Sequence, residues 1–213
     1  MMSLELDHIF CFCDPLLPEV EILESEGFIL TSGRKHEGQG TANRSIMFES
    51  NYLELIFIES KKDAQLNKLN LSLRANWKTT GSNPFGIALR GEIPEKDLKN
   101  FWEYSPPYAP DLKIRVHNFN ELHPNFPLLF VMPTLGTDSR TPLKASPIHR
   151  TGTTKILKVR IGTPFPIWPL SNIISGIEIE KSLKHCLQVD VNGYDSKTLH
   201  LNELLSLNFV EIT

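Results

Sequence analysis

Hydrophobic and polar positions in the first sixty residues predict one helix among four strands. Residues 4–13 are rich in β-branched and aromatic side chains, which is typical of a strand. Apolar residues then recur at helical spacing between an Asp14-Pro15 start signal and Gly27, a common helix end. Shorter apolar runs predict strands at 28–31, 44–49 and 52–59. The order of this unit is therefore βαβββ.

Two imperfect variations on the same order follow. The first has an amphipathic helix at 62–77, a linker at 79–83, a strand at 85–90, a helix at 94–104 and strands at 112–116 and 128–132. The second has a strand at 154–161, a helix at 171–184 and strands at 187–191, 197–201 and 207–212. We divide the chain into a first βαβββ module (1–60), a helix and linker (61–84), a second, degenerate module (85–147) and a third βαβββ module (148–213). Long-period repetition of this kind indicates duplicated units that cover one another's sheets, in an α+β fold.

Composition narrows the class of protein. The chain has 213 residues, a net charge of −3 and scattered Lys and Arg, so we expect no nucleic-acid partner. No apolar run is long enough to cross a bilayer, and the N-terminus lacks the pattern of a signal peptide. Three cysteines do not make a disulfide framework, so we expect a cytoplasmic protein with no membrane association.

Two side chains stand out on the first and last strands of the first unit. In a strand, His8 shares a face with Phe10, and Glu54 shares a face with Tyr52. A histidine and a carboxylate on strands that curl towards each other are two ligands for a divalent metal. The alternative is a core histidine bonded to Glu54 or to the backbone, and spacing alone favours that alternative.

The segment 33–43 has the most unusual composition in the chain. Its glycines, at positions 33, 38 and 40, allow positive φ angles, while His36, Thr41 and Asn43 offer polar contacts. It is either the rim of a ligand pocket or a β-connection that needs glycines to turn. His149, just before the third unit, could overhang a pocket, although a loop histidine is more often a surface residue.

The motifs together resemble a known family. Leu6-Asp7-His8-Ile9, the Gly-x-x-His-x-Gly-x-Gly-Thr-Ala-Asn run of 33–43 and Tyr52-Leu53-Glu54-Leu55 resemble a glyoxalase-like domain of the vicinal oxygen chelate superfamily. Residues 86–90 and His149-x-x-Gly152 are similar to later parts of that domain. The resemblance implies paired modules whose curved mixed sheets surround a cavity, with metal ligands on the first and last strands of each module.

The resemblance also implies site residues. His8 and Glu54 stand at two of the metal positions, whereas strand 85–90 has no His, Asp or Glu and strand 128–132 ends in Met. Only His149 or Glu211 could supply a third ligand, from outside the first module. We expect the metal, if bound, to be Zn, Fe, Mn or Ni.

Three functional hypotheses follow. In the first, the protein is a metal-dependent lyase or isomerase with His36 or His149 as general base. In the second, it binds or sequesters a small molecule without catalysis, and in the third the cavity is filled. In either of the first two, Gly38, Gly40, Thr41 and Asn43 would contact the ligand. An odd number of modules leaves one sheet uncovered, so a homodimer is a further expectation.

Overall fold

The computed structural model describes residues 4–133, 147–165 and 176–211, which form two mixed β-sheets with short helices. This architecture confirms the predicted α+β class with curved mixed sheets. The strands are β1 (Glu5–Phe12), β2 (Arg34–His36), β3 (Thr41–Met47), β4 (Tyr52–Ile58), β5 (Phe85–Arg90), β6 (Phe101–Tyr104), β7 (Ile114–His117), β8 (Leu128–Met132), β9 (Ile156–Thr163), β10 (Ile177–Lys181), β11 (Cys186–Gly193), β12 (Lys197–His200) and β13 (Leu205–Glu211). The helices are α1 (Pro18–Glu26), α2 (Lys61–Leu66), α3 (Leu71–Ala75), α4 (Trp77–Thr80) and α5 (Phe119–Leu122), with a 3-10 helix at Glu95–Asn100.

The larger sheet has eight strands in the order β2-β3-β4-β1-β5-β8-β7-β6. β1 runs parallel to β4, β5 runs parallel to β8, and β1 and β5 meet antiparallel at the centre. The two halves therefore repeat one strand arrangement on either side of the β1–β5 pair. The boundaries between modules given above remain a prediction.

The smaller sheet, β10-β9-β11-β13-β12, covers one face of the larger sheet. Its inward side chains, such as Val159 and Leu207, belong to one continuous apolar cluster with Ile9, Leu53 and Ile87 of the larger sheet. Its alternate side chains are polar and face outward, with Lys158 paired to Glu178 and Arg160 to Asp190, for example. The structure thus covers this face of the larger sheet within one chain, which the homodimer argument did not anticipate.

Helix α1 differs from its prediction at its start. It begins at Pro18 after Leu17, whereas the Asp14 carboxylate accepts the Leu16 N–H in a tight turn before the helix. The predicted end is confirmed, because Gly27 adopts a left-handed φ of 100° and its N–H bonds back to the last turn. Glu19, which the helical spacing places on the polar side of this helix, is buried and accepts a hydrogen bond from Asn202, between β12 and β13.

The predicted helix at 62–77 is wrong as one element, because it breaks into α2, α3 and α4. Leu66 and Leu73, whose spacing made this predicted helix amphipathic, are 75% and 42% exposed. The break follows from Asn67, whose side chain accepts the Leu69 N–H in a local turn, and from Asn70, which has a positive φ of 57°.

The predicted helix at 94–104 is also wrong. Only a 3-10 turn forms at its start, and Phe101–Tyr104 instead pairs with β7 as the edge strand β6. Aromatic side chains favour a pleated strand with a partner over a helix, and the antiparallel neighbour decides the outcome here.

The remaining corrections concern short segments. Residues 28–31 contribute a single bridge, from Leu30 to Ile46, rather than a strand. Residues 177–181, within the predicted helix 171–184, form β10, because Ile177 and Ile179 alternate with outward glutamates as a strand requires. Residues 171–175 of that prediction lie outside the described residues.

Among the described residues, no helix is long and apolar enough to cross a membrane.

His185 ties the two sheets together. It is 5% exposed, and its Nδ1 lies 3.3 Å from the Asn83 side chain just before β5. Phe85 and Phe165 pack around the ring. Burial lowers the pKa of His185 to about 4, although a backbone hydrogen bond at Gly81 acts in the opposite direction.

We expect His185 to make the fold sensitive to acid. Its pKa is about 4 in the folded chain and near 6.5 when unfolded, so the unfolded state binds more protons between these values. Its stabilisation is complete above pH 6.5 and is lost as the pH falls towards 4. The free energy of unfolding, measured by urea titration across this window, should fall less steeply in His185→Gln, by up to about 1.4 kcal/mol per pH unit. Equal slopes in the two proteins would contradict the assignment.

Gly86 leaves room for the ring of Phe10 on the neighbouring strand. A Cβ at Gly86 would overlap this ring, and Gly86 has no positive φ, so the expected cost of Gly86→Ala is steric. Urea unfolding should show a loss of about 1–3 kcal/mol. The added substitution Phe10→Leu should recover part of this loss, because it removes the overlap.

Gly81→Ala is the matched control. Gly81 has a left-handed φ of 68° and its nearest neighbour, Phe165, is 3.8 Å away, so its cost comes from the backbone and not from packing. Phe10→Leu should therefore give no recovery in the Gly81→Ala background. Recovery in both backgrounds, or in neither, would contradict the packing argument.

Candidate functional site

A cavity of about 410 Å³ lies on the concave face of the larger sheet, opposite the face that the smaller sheet covers. Its walls come from β1, β2, β3 and β4 on one half of the sheet and from β6, β7 and β8 on the other. The side chains that form its apolar wall include Phe10, Ile56, Ile114, Val116, Leu128 and Phe130. Leu69, Leu71 and the loop 105–113 close it from outside the sheet. A cavity of this size and lining is typical of a site for a small organic molecule.

His8 and Glu54 lie together at the polar end of this cavity. His8 Nε2 is 3.7 Å from Glu54 Oε2, and both side chains are buried. Behind His8, its Nδ1 lies 2.7 Å from the Asp7 carboxylate, which fixes the ring and leaves Nε2 directed towards Glu54. The other Glu54 oxygen accepts a hydrogen bond from the Asn43 side chain. The two residues that the sequence placed on facing strands are thus brought together by the fold.

A second polar group joins the two outer edges of the larger sheet. His36 Nδ1 lies 2.9 Å from the Thr41 hydroxyl, which also accepts from Gln39 at 3.1 Å. The Tyr104 hydroxyl donates to Gln39 at 3.0 Å and accepts from Asn67 at 2.8 Å. Because His36 ends β2 and Tyr104 ends β6, side chains connect the two edge strands of the sheet.

Tyr108 completes the rim from the loop 105–113. Its ring stacks on His36 with centroids 4.7 Å apart, and the Arg34 guanidinium lies 4.9 Å above the same ring. Pro107 of this loop rests against Gly38, where a Cβ would crowd it. The glycine thus permits close approach between the loop and the β2–β3 turn.

Burial dominates the protonation of these groups. It lowers the pKa of His36, so that the ring is neutral near pH 7, although the Glu54 carboxylate acts in the opposite direction. Burial, assisted by Glu54, raises the pKa of Tyr108 to about 12 and that of Tyr52 well above its usual value. Both phenols are therefore neutral at the rim and floor of the cavity.

The segment predicted as a loop, 33–43, is mostly a hairpin. Residues 34–36 form β2, residues from Thr41 onward form β3, and only 37–40 turn between them. Asn43 lines the cavity, and Thr41 lies just behind its wall, bonded to His36. Gly40 has a φ of 84° and packs against the start of α2, so its role in the structure is to turn the chain and admit a close neighbour.

The structure does not bring His149 to the cavity. Its Nδ1 accepts the Ile29 N–H at 3.0 Å, and its Nε2 donates to the Met47 carbonyl at 3.0 Å. It packs between Phe28 and Phe48 and is buried, which lowers its pKa. In these contacts His149 fastens the segment before β9 to the first half of the larger sheet.

The described side chains do not fit a metal held by the protein alone. A catalytic metal needs about three protein ligands, of which His8 and Glu54 could supply two. The cavity-lining side chains of β7 and β8, on the other half of the sheet, are apolar, Val116 and Phe130 among them. Over residues 4–133, 147–165 and 176–211, no three His, Cys, Asp or Glu side chains are grouped as ligands. Glu211 is exposed at the end of β13.

Several cavity residues were not singled out from the sequence. Tyr104, Tyr108 and Gln39 carry much of the rim, and Asp7 orients His8. The Pro-rich run around Tyr108 was a usable signal, because prolines stiffen a loop that must hold one aromatic ring over a pocket. Nothing in the spacing of Tyr104 and Gln39, 65 residues apart, indicates their contact.

Comparisons with known proteins agree with this architecture. The model of the family described as glyoxalase-like domain matches residues 6–166. A solved hypothetical protein from Staphylococcus aureus is similar over 99% of this chain and 100% of its own, with 15% identity and a TM-score of 0.62. Methylmalonyl-CoA epimerase from Mycobacterium tuberculosis matches over 62% of this chain and 90% of its own, with 12% identity and a TM-score of 0.40.

No curated protein matches the sequence. The family match nevertheless covers most of the chain, including both halves of the larger sheet, and it agrees with the motifs on β1 and β4. The chain therefore belongs to the glyoxalase-like domain family.

Proposed function

We propose that this protein binds a small molecule in the cavity of its larger sheet, with an apolar body against the wall and a polar group at His8 and Glu54. The observation that carries the proposal is the cavity itself, which is about 410 Å³ in volume and apolar except at one end and the rim. A filled core would leave no such space, because protein interiors pack at nearly crystalline density. This supports the binding hypothesis over the purely structural one.

The polar end can bind and orient a ligand group by hydrogen bonding. Asp7 holds His8 so that its Nε2 points into the cavity, and Asn43 holds the Glu54 carboxylate. His36 and Asn43 stand further along the same wall, and Thr41 holds the His36 ring from behind it, near the Gly38 and Gly40 turn. In this proposal they position the ligand and limit access of water.

A metal-dependent lyase or isomerase is the alternative that the family resemblance suggests. The structure offers this alternative two ligands, so Zn, Fe, Mn or Ni would need further donors from the substrate or solvent. We therefore derive no reaction step through a metal.

A cytoplasmic location and a homodimer also remain predictions. The outer face of the smaller sheet is polar, which gives the dimer no support.

Ligand binding should raise the melting temperature. A panel of small carbonyl compounds, glutathione adducts, aromatic diols and apolar amines, each screened by thermal shift, should contain members that stabilise the fold. A ligand present at 100 times its Kd adds about 2.7 kcal/mol. Ala109→Trp should abolish these shifts, because Ala109 lines the cavity from the loop 105–113 and the indole would occupy the space.

Asp111→Trp is the matched control for that substitution. Asp111 lies in the same loop and is exposed, so the same added ring should leave the shifts unchanged. If no compound stabilises the protein, or if both tryptophan variants retain the shifts, the cavity is not the binding site.

Metal content separates the two candidate functions. The protein purified without chelator should hold less than about 0.1 equivalent of metal. Calorimetric titration with Zn²⁺, Mn²⁺ or Ni²⁺ should give the same result for the unchanged protein and for His8→Ala, because His8 holds no metal. The physical reason is that two ligands do not hold a divalent ion tightly. One equivalent of tightly bound metal, lost in His8→Ala but not in the distant His149→Ala, would establish the metal site instead.

A further inference from the structure

Glu54 is a buried carboxylate without a fixed cation. Its side chain is 8% exposed, and its neighbours within bonding reach are the Asn43 amide and His8. Over the described part of the chain, no Lys or Arg forms an ion pair with it; the Arg and Lys pairs involve other carboxylates. Keeping a carboxylate away from water costs free energy unless a positive charge or several donors compensate.

His8 does not neutralise the charge of Glu54, because the His8 ring lies between two carboxylates, Asp7 and Glu54. Its other ring nitrogen faces Asp7, which also lies 3.9 Å from Arg90, and Arg90 in turn pairs with Glu5. This group contains three carboxylates, one guanidinium and one imidazole. Its net charge is −2 with a neutral His8 and −1 with a protonated one. Glu5 is exposed, and neither it nor Arg90 lines the cavity, so the charge that a ligand meets at the polar end is that of the Glu54 carboxylate.

Aromatic rings surround the same end. Tyr52 stacks on His8 with centroids 4.3 Å apart, and Phe130 meets His8 edge-on at 5.6 Å. Phe10 lies beside Phe130, and the Tyr108 phenol faces the cavity from the rim. The faces of such rings carry partial negative charge, which attracts cations and repels anions.

The groups that could attract an anion are weaker or elsewhere. Arg34 lies at the rim, is exposed, and its guanidinium rests over the ring of Tyr108. His36 is buried and neutral near pH 7. Among the described cavity residues, no other side chain carries a permanent positive charge.

We infer that the cavity selects ligands with a cationic end, a protonated amine on an apolar body, with the ammonium at Glu54 and the body along the Phe10–Phe130 wall. This inference rests on the proposed function and specifies its ligand class. The ammonium would complete an ion pair with Glu54, donate hydrogen bonds to it and lie against the aromatic rings. A carboxylate in the same position would meet a like charge and lose its hydration.

Three matched probes test the inference on the unchanged protein. Phenylbutylamine, phenylbutanol and phenylbutyrate each carry a phenyl group on a four-carbon chain, and their end groups are cationic, neutral and anionic at pH 7. Isothermal titration at pH 7 should show the amine binding about tenfold or more tighter than the butyrate, with the alcohol between them. If the butyrate or the alcohol binds as tightly as the amine, the charge preference is wrong while the binding function stands. If none of the three binds, both proposals fail.

A substitution at Glu54 tests the residue. Glu54→Gln keeps an acceptor for Asn43 and removes the charge, so the amine and the alcohol should then bind within about threefold of each other. Glu59→Gln, on an exposed residue paired with Lys35 at the end of the same strand, should leave the preference unchanged. An unchanged preference in Glu54→Gln would overturn the role of Glu54. Should Glu54→Gln fail to fold, the three-probe comparison still decides the charge class.

Discussion

The packing of the smaller sheet against the larger one determines what the rest of the molecule can do. Alternate residues of the central strands, such as Ile9 on β1 and Ile87 on β5, enter this continuous core. Each buried side chain of this size contributes about 1.5–3 kcal/mol relative to exposure. Because these residues secure one face of the sheet, residues on the opposite face, including His8 and Glu54, need not hold the fold together and are available to line a cavity.

Charge in that cavity is the second constraint. Glu54 remains buried because Asn43 bonds one oxygen and His8 lies near the other, yet no guanidinium or ammonium completes the pair in the described residues. Burial at the same site keeps the Tyr52 and Tyr108 phenols neutral. A low-dielectric, aromatic surrounding strengthens the interaction of this carboxylate with whatever enters.

Local patterns predicted the parts of this structure that depend on one strand at a time. The alternation that separates His8 from Ile9 holds in the structure, as does the Gly27 helix end. Predictions failed where a neighbour decided the outcome. Phe101–Tyr104 became a strand because β7 lies beside it, and Ile177–Lys181 because β9 does. In the site, the Gln39–Tyr104 bond joins residues from opposite edges of the sheet, and spacing carries no information about such a pair.

The sequence by itself indicated the family and the α+β class, and it placed an imidazole and a carboxylate on β1 and β4 as candidate site residues. These follow from local rules, since side chains alternate along a strand whatever its partners. Only the tertiary structure decided that His8 is held between Asp7 and Glu54, that His149 is fastened to Ile29 and Met47 away from the cavity, and that the opposite half of the sheet is apolar there. Those outcomes depend on which distant segments come into contact. The curvature and packing of the two sheets determine these contacts.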